Sequence, residues 1–237
     1  FHLASTRFNP PSITAEEYLS VNVLGTMRLL EALSKFPAVK VIFTGSTAAY
    51  GAGSQLREDG PMLPGTMLGA SKACASILLE TYSRLHEMNT IELRLFTPFG
   101  PWEDPARLIP HTILSALSGK DVAMSQGDQE RDFVYVGDVI EALMLCAGRS
   151  LPSGSVFNIG SGVGTPVKRV AERVLELMDN PVELRLGELE TRPDEIMEIS
   201  ADISAARERL DWQPTTSLDE GLRESIAWFS ENRELAR

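Results

Sequence analysis

The sequence predicts an α/β fold in which the strands of a parallel sheet alternate with helices. Residues 39–43 and 91–96 are almost continuously apolar, which is typical of strands that are buried on both faces of a parallel sheet. Amphipathic helical patterns cover about 15–35 before the first of these strands and 72–87 between the two. Strands and helices that alternate in this way are the pattern of α/β proteins with a parallel sheet.

The size and composition are those of an ordinary globular protein. With 237 residues, of which 43% are hydrophobic and 23% are charged, the chain can form one large domain or a domain with an added lobe. The net charge of −11 argues against nucleic acid or an anionic membrane as a partner, because phosphate surfaces attract clustered Lys and Arg and no basic stretch is present. No apolar run reaches membrane-spanning length, and we expect neither an anchor nor a signal peptide.

The two cysteines, Cys74 and Cys146, both lie in apolar helical patterns. This placement predicts reduced, buried thiols in a cytoplasmic protein, since disulfides belong to oxidising compartments. Nothing in their spacing supports zinc, so we expect no metal site.

The first predicted helix begins where Thr14 and Glu17 have the spacing of a capping box. Its apolar residues cover more than one side, which is typical of a helix that packs both on a sheet and against a second partner. Asn22 lies inside this helix. Taken alone, it is an internal asparagine that bonds to backbone.

The second long helix follows the segment Thr-Met-Leu-Gly-Ala-Ser-Lys at 66–72, which predicts that Lys72 lies in its first turn. The helix macrodipole disfavours an ammonium group there by roughly a few tenths of a kcal/mol, so an anionic or hydroxylic partner is expected. The preceding strand ends at Ser46, and active-site groups gather at the carboxyl ends of parallel strands. Without further information, Ser46 and Thr47 are strand-end capping residues.

Residues 156–165 form a predicted strand followed by glycines and a helix, which is the order of a dinucleotide-binding loop. We reject that interpretation, because Thr165 stands at the position of the third glycine and no strand-ending acid follows at the required distance. The remaining predicted elements are helices over 108–117, 139–147 with Asp138 as its cap, 167–178 and 218–228, and a strand over 182–186.

Two segments together resemble a known family. They are Phe-Thr-Gly-Ser-Thr-Ala-Ala-Tyr-Gly at 43–51 and Leu-Gly-Ala-Ser-Lys at 68–72. The chain resembles the extended short-chain dehydrogenase/reductase family, the epimerases and dehydratases of nucleotide sugars, which carry Ser or Thr and then Tyr-x-x-x-Lys. Ser46 matches the hydroxyl and Lys72 matches the lysine. Leu68 stands at the position of the active-site tyrosine, and no shift of register restores a tyrosine.

The resemblance implies the C-terminal part of a doubly wound, Rossmann-like parallel sheet with a small α/β substrate lobe. Residues 1–101 and 131–165 would belong to the nucleotide-binding domain, and 102–130 and 166–237 to the lobe. The Gly-rich phosphate loop of the family would precede residue 1, so roughly the first quarter to third of such a domain would be absent. We therefore expect this chain alone to be aggregation-prone or incompletely folded.

The resemblance also implies the ligands and the residues that hold them. The cofactor would be NAD, with NADP left open, and the substrate a nucleotide-diphospho-sugar. Arg131 and Arg192 match motifs whose arginines clamp the diphosphate, a geometry suited to guanidinium groups. Thr97 replaces the asparagine of the family and keeps a hydroxyl for substrate. The implied cofactor contacts are Leu3, Ala4, Ser5, Asn22, Lys72 and Pro98, and the implied substrate contacts are Ser46, Thr97, Arg131 and Arg192.

The resemblance and the missing tyrosine leave three possible functions open. The first is an enzyme in which Ser46 polarises the sugar oxygen and the proton goes to Lys72, to water or to substrate, since Leu68 has no proton to exchange. The second is a catalytically inactive binder of nucleotide sugar or NAD, which Leu68 favours. The third is a structural module in which the helices over 15–35 and 72–87 pair in a homodimer. The dehydratase branch carries Asp-Glu after the hydroxyl residue, and their absence here weakens a dehydratase function.

Overall fold

The structure is a computed structural model that describes residues 1–6, 13–36, 38–192 and 195–234. Its strands are β1 Lys40–Ser46, β2 Gly53–Leu56, β3 Asn89–Leu95, β4 Thr97–Phe99, β5 Val122–Met124, β6 Glu130–Tyr135, β7 Ser155–Ile159, β8 Gly164–Pro166, β9 Leu184–Leu186 and β10 Ile199–Ala201. Its α-helices are α1 Ala15–Tyr18, α2 Gly25–Leu33, α3 Met67–His86, α4 Leu108–Leu117, α5 Val136–Gly148, α6 Val167–Leu177, α7 Ser204–Leu210 and α8 Leu218–Glu231. A π-helical segment, Leu19–Leu24, joins α1 to α2, and a 3₁₀ turn, Thr47–Ala49, follows β1.

The central sheet is parallel and has the strand order β1-β3-β7. On the outer side of β1, His2 forms a parallel bridge with Phe43. Ser46 is paired with Leu95, and Leu95 with Ile159. The three strands therefore end level with one another, so the residues that follow them share one edge. The predicted α/β class with a parallel sheet is confirmed.

Each face of this sheet is covered by helices, as expected from the apolar runs. On one face, Ile42, Leu93 and Phe157 pack against α5 and α7. On the other, Val41 and Phe43 pack against α2 and α3. Burial of one such side chain contributes about 1.5–3 kcal/mol. The alternation of neighbouring β1 residues between the two clusters follows from the two-residue period of a strand.

A third apolar cluster lies beyond the carboxyl ends of the central strands. Helices α4, α6 and α8 enclose Ile113, Val170 and Phe229, and they share this core with Phe99 of β4 and Phe133 of β6. The predicted helix over 108–117 is confirmed at the same bounds. Strands β4 and β6 therefore link the central sheet to the helical layer.

The first long helix is continuous in direction but irregular in hydrogen bonding. The Thr14 hydroxyl accepts from the Glu17 amide at 3.2 Å, as the capping pattern predicts. The π-helical segment places one extra residue in a turn, and such segments occur often at functional sites. Asn22 lies within it and is buried.

Two details differ from the sequence predictions. Asp138 does not cap its helix, because α5 begins at Val136 and the Asp138 carboxylate accepts from the amides of Thr215 and Thr216 at 3.0 and 3.3 Å. Of the cysteines, Cys146 is buried as predicted, whereas Cys74 is exposed. Both are free thiols. No helix of the described residues has the length and apolar character needed to cross a membrane, and no group of acidic, His and Cys side chains in that part of the chain could hold a metal.

Candidate active site

The carboxyl end of β1 carries the hydroxyl that the sequence singled out. Ser46 is the last residue of β1, and its Oγ accepts from the Ala48 amide at 3.2 Å, so it also caps the 3₁₀ turn. The capping function and an active-site position are thus compatible. The neighbouring Thr47 hydroxyl is buried and has no hydrogen-bond partner in the described part of the chain. A buried hydroxyl that the described residues leave unpaired therefore lies directly after the strand.

Lys72 reaches this strand end from α3. Its Nζ donates to the backbone oxygen of Thr44 at 3.3 Å and lies 5.5 Å from the centre of the Phe43 ring. The residue is only 8% exposed. Burial lowers the pKa of Lys72 to about 8, against the opposing effect of the Glu92 carboxylate. A substantial fraction of the amine is therefore neutral near physiological pH.

The predicted position of Lys72 in its helix is wrong. Thr66 is the N-cap, with its hydroxyl accepting from the Gly69 amide at 3.0 Å, and α3 begins at Met67. Lys72 is thus the sixth helical residue and lies in the second turn. The macrodipole acts mainly within the first turn. Burial of Lys72, and not its distance from the helix terminus, is therefore the main influence on the pKa of this amine.

Leu68 lies one turn before Lys72 on the same side of α3, as the spacing of four residues requires. It is 8% exposed and buried. The tight approach of Gly69 to the Ala48 carbonyl explains how α3 is pressed against the turn after β1: a Cβ at Gly69 would lie 2.2 Å from that oxygen. The position that carries a phenol in the resembled family is therefore filled here by an alkyl side chain beside the strand end.

Tyr50 does not replace the absent phenol. Its hydroxyl donates to Asn158 Oδ1 at 2.7 Å and accepts from Arg94 Nη1 at 2.8 Å. Burial raises the pKa of Tyr50 to about 12. With both hydrogen-bonding roles occupied in the interior, this hydroxyl is a structural group.

Asn22 joins the first helix to α3. Its Nδ2 donates to the hydroxyls of Ser71 at 2.9 Å and Thr6 at 3.2 Å, and its Oδ1 accepts from the Thr6 amide at 2.9 Å. It therefore bonds to side chains and to a distant amide, and not to its own helix as the simpler interpretation predicts. Asn22 fixes the residue next to Lys72 and the segment that follows the His2 bridge.

The predicted cofactor contacts lie around this linkage. Leu3, Ala4 and Ser5 are exposed and follow His2, whose backbone oxygen accepts from the Thr44 amide at 3.1 Å. Thr44 is also the residue that holds Lys72. Pro98 is half-buried in β4, at the same edge. Residues 3–5, Asn22 and Lys72 are therefore brought together by the fold.

The two predicted diphosphate arginines meet at one carboxylate. Arg131 Nη2 donates to Glu195 Oε1, and Arg192 donates to Glu195 Oε2 from Nε at 2.9 Å and from Nη2 at 2.7 Å. Pro193 and Asp194, which belong to the predicted Arg192 motif, lie outside the described residues. The structure brings Arg131 and Arg192 together, and the carboxylate of Glu195 lies between them.

The strand register relates Thr97 to the end of β1 and to the strand that carries Arg131. Thr97 pairs with Phe133 in the parallel β4–β6 ladder, and Arg131 lies two residues before Phe133 in β6. Thr97 also follows two residues after Leu95, which pairs with Ser46. Thr97 therefore links the end of the central sheet to the strand of Arg131.

The glycine-rich turn after β7 is held from inside. The Asp132 carboxylate accepts from the amides of Ser161, Gly162 and Ala201 at 2.5, 3.0 and 3.0 Å. A dinucleotide phosphate would need amides of this kind to be free. Those of Ser161 and Gly162 are bound to a buried carboxylate, which agrees with the rejection of a dinucleotide loop here.

Comparison with known proteins identifies the family. Residues 1–160 match the model of the NAD dependent epimerase/dehydratase family. The chain belongs to this family. It is 29% identical over 242 residues to the UDP-glucose 4-epimerase of Mycolicibacterium smegmatis, covering 97% of this chain and 75% of that protein.

Solved structures of family members have the same fold. The structure of MoeE5 in complex with UDP-glucuronic acid and NAD is 31% identical, with a TM-score of 0.90 over 97% of this chain and 78% of that one. The UDP-glucuronic acid 4-epimerase of Bacillus cereus, in complex with UDP-glucuronic acid and NAD, is 26% identical, with a TM-score of 0.91 over 98% of this chain and 74% of that one. The Rossmann-like fold of this epimerase/dehydratase chain is thereby confirmed.

The residues present fit one end of the family's cofactor. A buried amine with one hydrogen bond, the orphan Thr47 hydroxyl and the exposed residues 3–5 offer donors and apolar surface at one strand end. We infer that Lys72 and residues 3–5 would hold the nicotinamide half of NAD, with Lys72 donating to its ribose. The predicted direct contact of Asn22 with the cofactor does not fit, because its side chain is buried and both amide hydrogens are already donated to Ser71 and Thr6.

Sequence reasoning missed two acidic residues. Glu195 stands inside the predicted Arg192 motif but was given no part, and Glu92 is a buried charge in the middle of β3. Glu92 accepts from the Ser76 hydroxyl and pairs with Arg94 Nε at 3.3 Å. Each had a signal in the sequence. Glu92 is an acid within an apolar strand, and Glu195 is an acid three residues after an arginine.

Proposed function

We propose that this family member is a nucleotide-diphospho-sugar epimerase that acts at a carbon of the sugar ring with bound NAD. The family comprises NAD-dependent enzymes, and this favours catalysis over the inactive binder that Leu68 alone would allow. The observation that carries the substrate class is the meeting of Arg131 and Arg192 at one anion, the carboxylate of Glu195. The relatives in complex with UDP-sugars support the same class.

A diphosphate suits the two guanidinium groups. Each can donate a forked pair of charge-assisted hydrogen bonds, which lysine ammonium groups do not provide. The protein as a whole carries a net charge of −11, so attraction of a phosphate must come from local groups. Two arginines that share one anion position provide that local attraction.

Ser46 and Lys72 act on the sugar. The Ser46 hydroxyl accepts from the Ala48 amide and keeps its own proton to donate to a sugar oxygen. Lys72, with a pKa near 8, is poised to take up a proton from a sugar hydroxyl at mildly alkaline pH. Bound NAD supplies the acceptance and return of hydride. In this proposal the lysine carries the proton that a phenol carries in other members of the family.

The residues after Ser46 favour epimerisation over dehydration. Removal of water from the sugar requires a further acid and base, which the dehydratase branch resembled by this sequence places directly after the hydroxyl residue. Here Thr47 and Ala48 occupy those positions. A threonine hydroxyl and a methyl group do not titrate near neutral pH, so we propose no dehydration step.

We further propose a homodimer through the two long helices. Leu19, Val21 and Leu24 of the first helix and Met67 and Ile77 of α3 are large apolar side chains between 41 and 51% exposed. These helices pack together through Asn22 and Ser71, so their apolar residues lie on adjacent elements. Light scattering with an Ile77→Glu variant tests this proposal, which predicts a monomer for the variant.

The function is tested by incubating the protein with NAD and a panel of UDP- and dTDP-sugars, and by separating the products by chromatography with mass detection. The proposal predicts a product of unchanged mass and altered retention for at least one sugar. A product lighter by one water would instead identify a dehydratase. Stoichiometric binding without any product would support the inactive binder.

A further inference from the structure

We propose that Glu195 is an internal anion that fills the diphosphate position and that a substrate must displace. This inference rests on the proposed function and deepens it, because it assigns to a residue of this chain the control of substrate affinity. It rests on the carboxylate of Glu195, which Arg131 and Arg192 share. The guanidinium group of Arg131 donates to one carboxylate oxygen, and that of Arg192 donates to the other.

The contacts of Arg131 occupy one of its terminal nitrogens with backbone and the other with Glu195. Its Nη1 donates to the backbone oxygens of Glu130 and Ile196, both at 2.7 Å. Its Nη2 donates to Glu195. The backbone contacts fix the plane of the guanidinium group, so an incoming phosphate has to approach its Nε and Nη2 side, where Glu195 already binds Nη2.

Arg192 is similarly engaged but is placed differently. Its Nε and Nη2 both donate to Glu195 Oε2, and its side chain is 54% exposed. The Glu195 side chain is 9% exposed. The carboxylate therefore lies beneath an exposed arginine and against a half-buried one, and a ligand that approaches from solvent meets Arg192 first.

Displacement requires movement of the carboxylate and not of the arginine that the backbone holds. Glu195 is connected to its backbone by rotatable single bonds, and its rotation frees both guanidinium groups. A diphosphate then replaces one carboxylate with two phosphoryl groups, so the charge-assisted contacts are restored and increased. A neutral sugar restores none of them.

The contact of Glu195 with the two arginines weakens the apparent affinity for a diphosphate. Only the molecules in which Glu195 has moved away from the arginines can bind it. For a ligand that binds the open state, the apparent Kd is the intrinsic Kd divided by the open fraction. If Glu195 occupies the site in about nine of ten molecules, its removal tightens binding about tenfold. The contact also keeps the partly buried Arg131 paired with a carboxylate in the protein without ligand, which avoids an unpaired charge at that position.

The test is the Kd for UDP, measured by calorimetry for the wild-type protein and for Glu195→Gln. Glutamine keeps the size and removes the charge. The matched control is Glu198→Gln, which removes the same charge from an exposed residue three positions further along the chain. The proposal predicts about tenfold tighter binding for Glu195→Gln and little change for Glu198→Gln. Glu195→Ala, which removes the acceptor altogether, should show the same gain.

Unchanged or weaker UDP binding by both Glu195 variants would overturn the inference while the wild-type affinity still supports the proposed function. An equal gain from Glu198→Gln would also overturn it, because net charge would then be the cause. Absence of UDP binding by the wild type and all variants would reject the proposed function and the inference together. UDP binding only after removal of Glu195 would support both.

Discussion

Lys72 Nζ donates to the backbone oxygen of Thr44, two residues before β1 ends at Ser46. Two residues of a strand span about 7 Å, so the amine lies just below the hydroxyl at the edge of the sheet. This relationship explains how an epimerase-family site can keep a titratable group although Leu68 replaces the phenol.

Replacement of Lys72 by methionine should abolish turnover. If the amine carries the proton, its loss removes general acid-base catalysis, which is worth about 10²–10⁴-fold. Steady-state rates for the sugar that gives product measure the effect. Turnover within a factor of two of the wild type would exclude Lys72 as the proton carrier.

The same variant should be more stable than the wild type at neutral pH. Burial lowers the pKa of Lys72 in the folded protein to about 8, from its ordinary value of 10.5. The unfolded state therefore binds more protons between these values, and wild-type stability rises with pH across this window. Urea unfolding measures the free energy of unfolding of both proteins. The excess of Lys72→Met over the wild type should be smaller at pH 10 than at pH 7, by an amount of order 3 kcal/mol.

A tyrosine at position 68 should restore the chemistry that is usual in the family. Leu68→Tyr places a phenol one helical turn before Lys72, and we expect turnover to rise by about 10²-fold. Leu68→Phe has almost the same size without the hydroxyl and serves as the matched control. An equal rise in both variants would show that packing, and not proton transfer, limits the wild-type rate.

The pH dependence of turnover should respond to Glu92. The rate should rise with pH and level off above about 8, since the neutral Lys72 amine is the active form. The Glu92 carboxylate raises the pKa of Lys72, so Glu92→Gln should move the midpoint to lower pH. This variant leaves the buried Arg94 without its carboxylate partner, at a cost of about 3–5 kcal/mol in stability, so its folding should be verified by circular dichroism.

The Asp132 carboxylate should be a main determinant of stability. It is fully buried and accepts from three backbone amides and the Ser161 hydroxyl. Asp132→Ala leaves these donors unsatisfied and should cost about 3–5 kcal/mol. Asp128 forms an exposed pair with Lys168, and Asp128→Ala should cost less than about 1 kcal/mol. Chemical denaturation of both variants provides the comparison.

Local patterns were sufficient to predict the sheet and the residues at its edge. The apolar runs in β1 and β3 predicted buried parallel strands, and the end of the first run predicted that Ser46 lies at the carboxyl edge of the sheet. Lys72 was placed in the wrong helical turn because the boundary depends on the Thr66 cap, whose bond to Gly69 is a matter of local geometry. Helix boundaries are generally the least certain part of such predictions.

Long-range polar contacts could not be predicted in the same way. Glu195 meets Arg131 across 64 positions of the chain, and Asp132 meets the Ala201 amide across 69. No periodicity encodes such contacts, since they depend on how β6, β10 and the intervening segment are packed. The convergence of the two arginines followed from family resemblance, whereas the carboxylate between them is visible only in the structure.

The central claim is that Arg131 and Arg192 together bind the diphosphate of a nucleotide sugar. The most direct measurement is the Kd of UDP for the wild type and for a variant that carries both Arg131→Gln and Arg192→Gln, determined by calorimetry at fixed ionic strength. Loss of two charge-assisted contacts of about 1.5–3 kcal/mol each predicts binding weaker by at least 100-fold. UDP affinity equal to that of the wild type in a folded double variant would contradict the account.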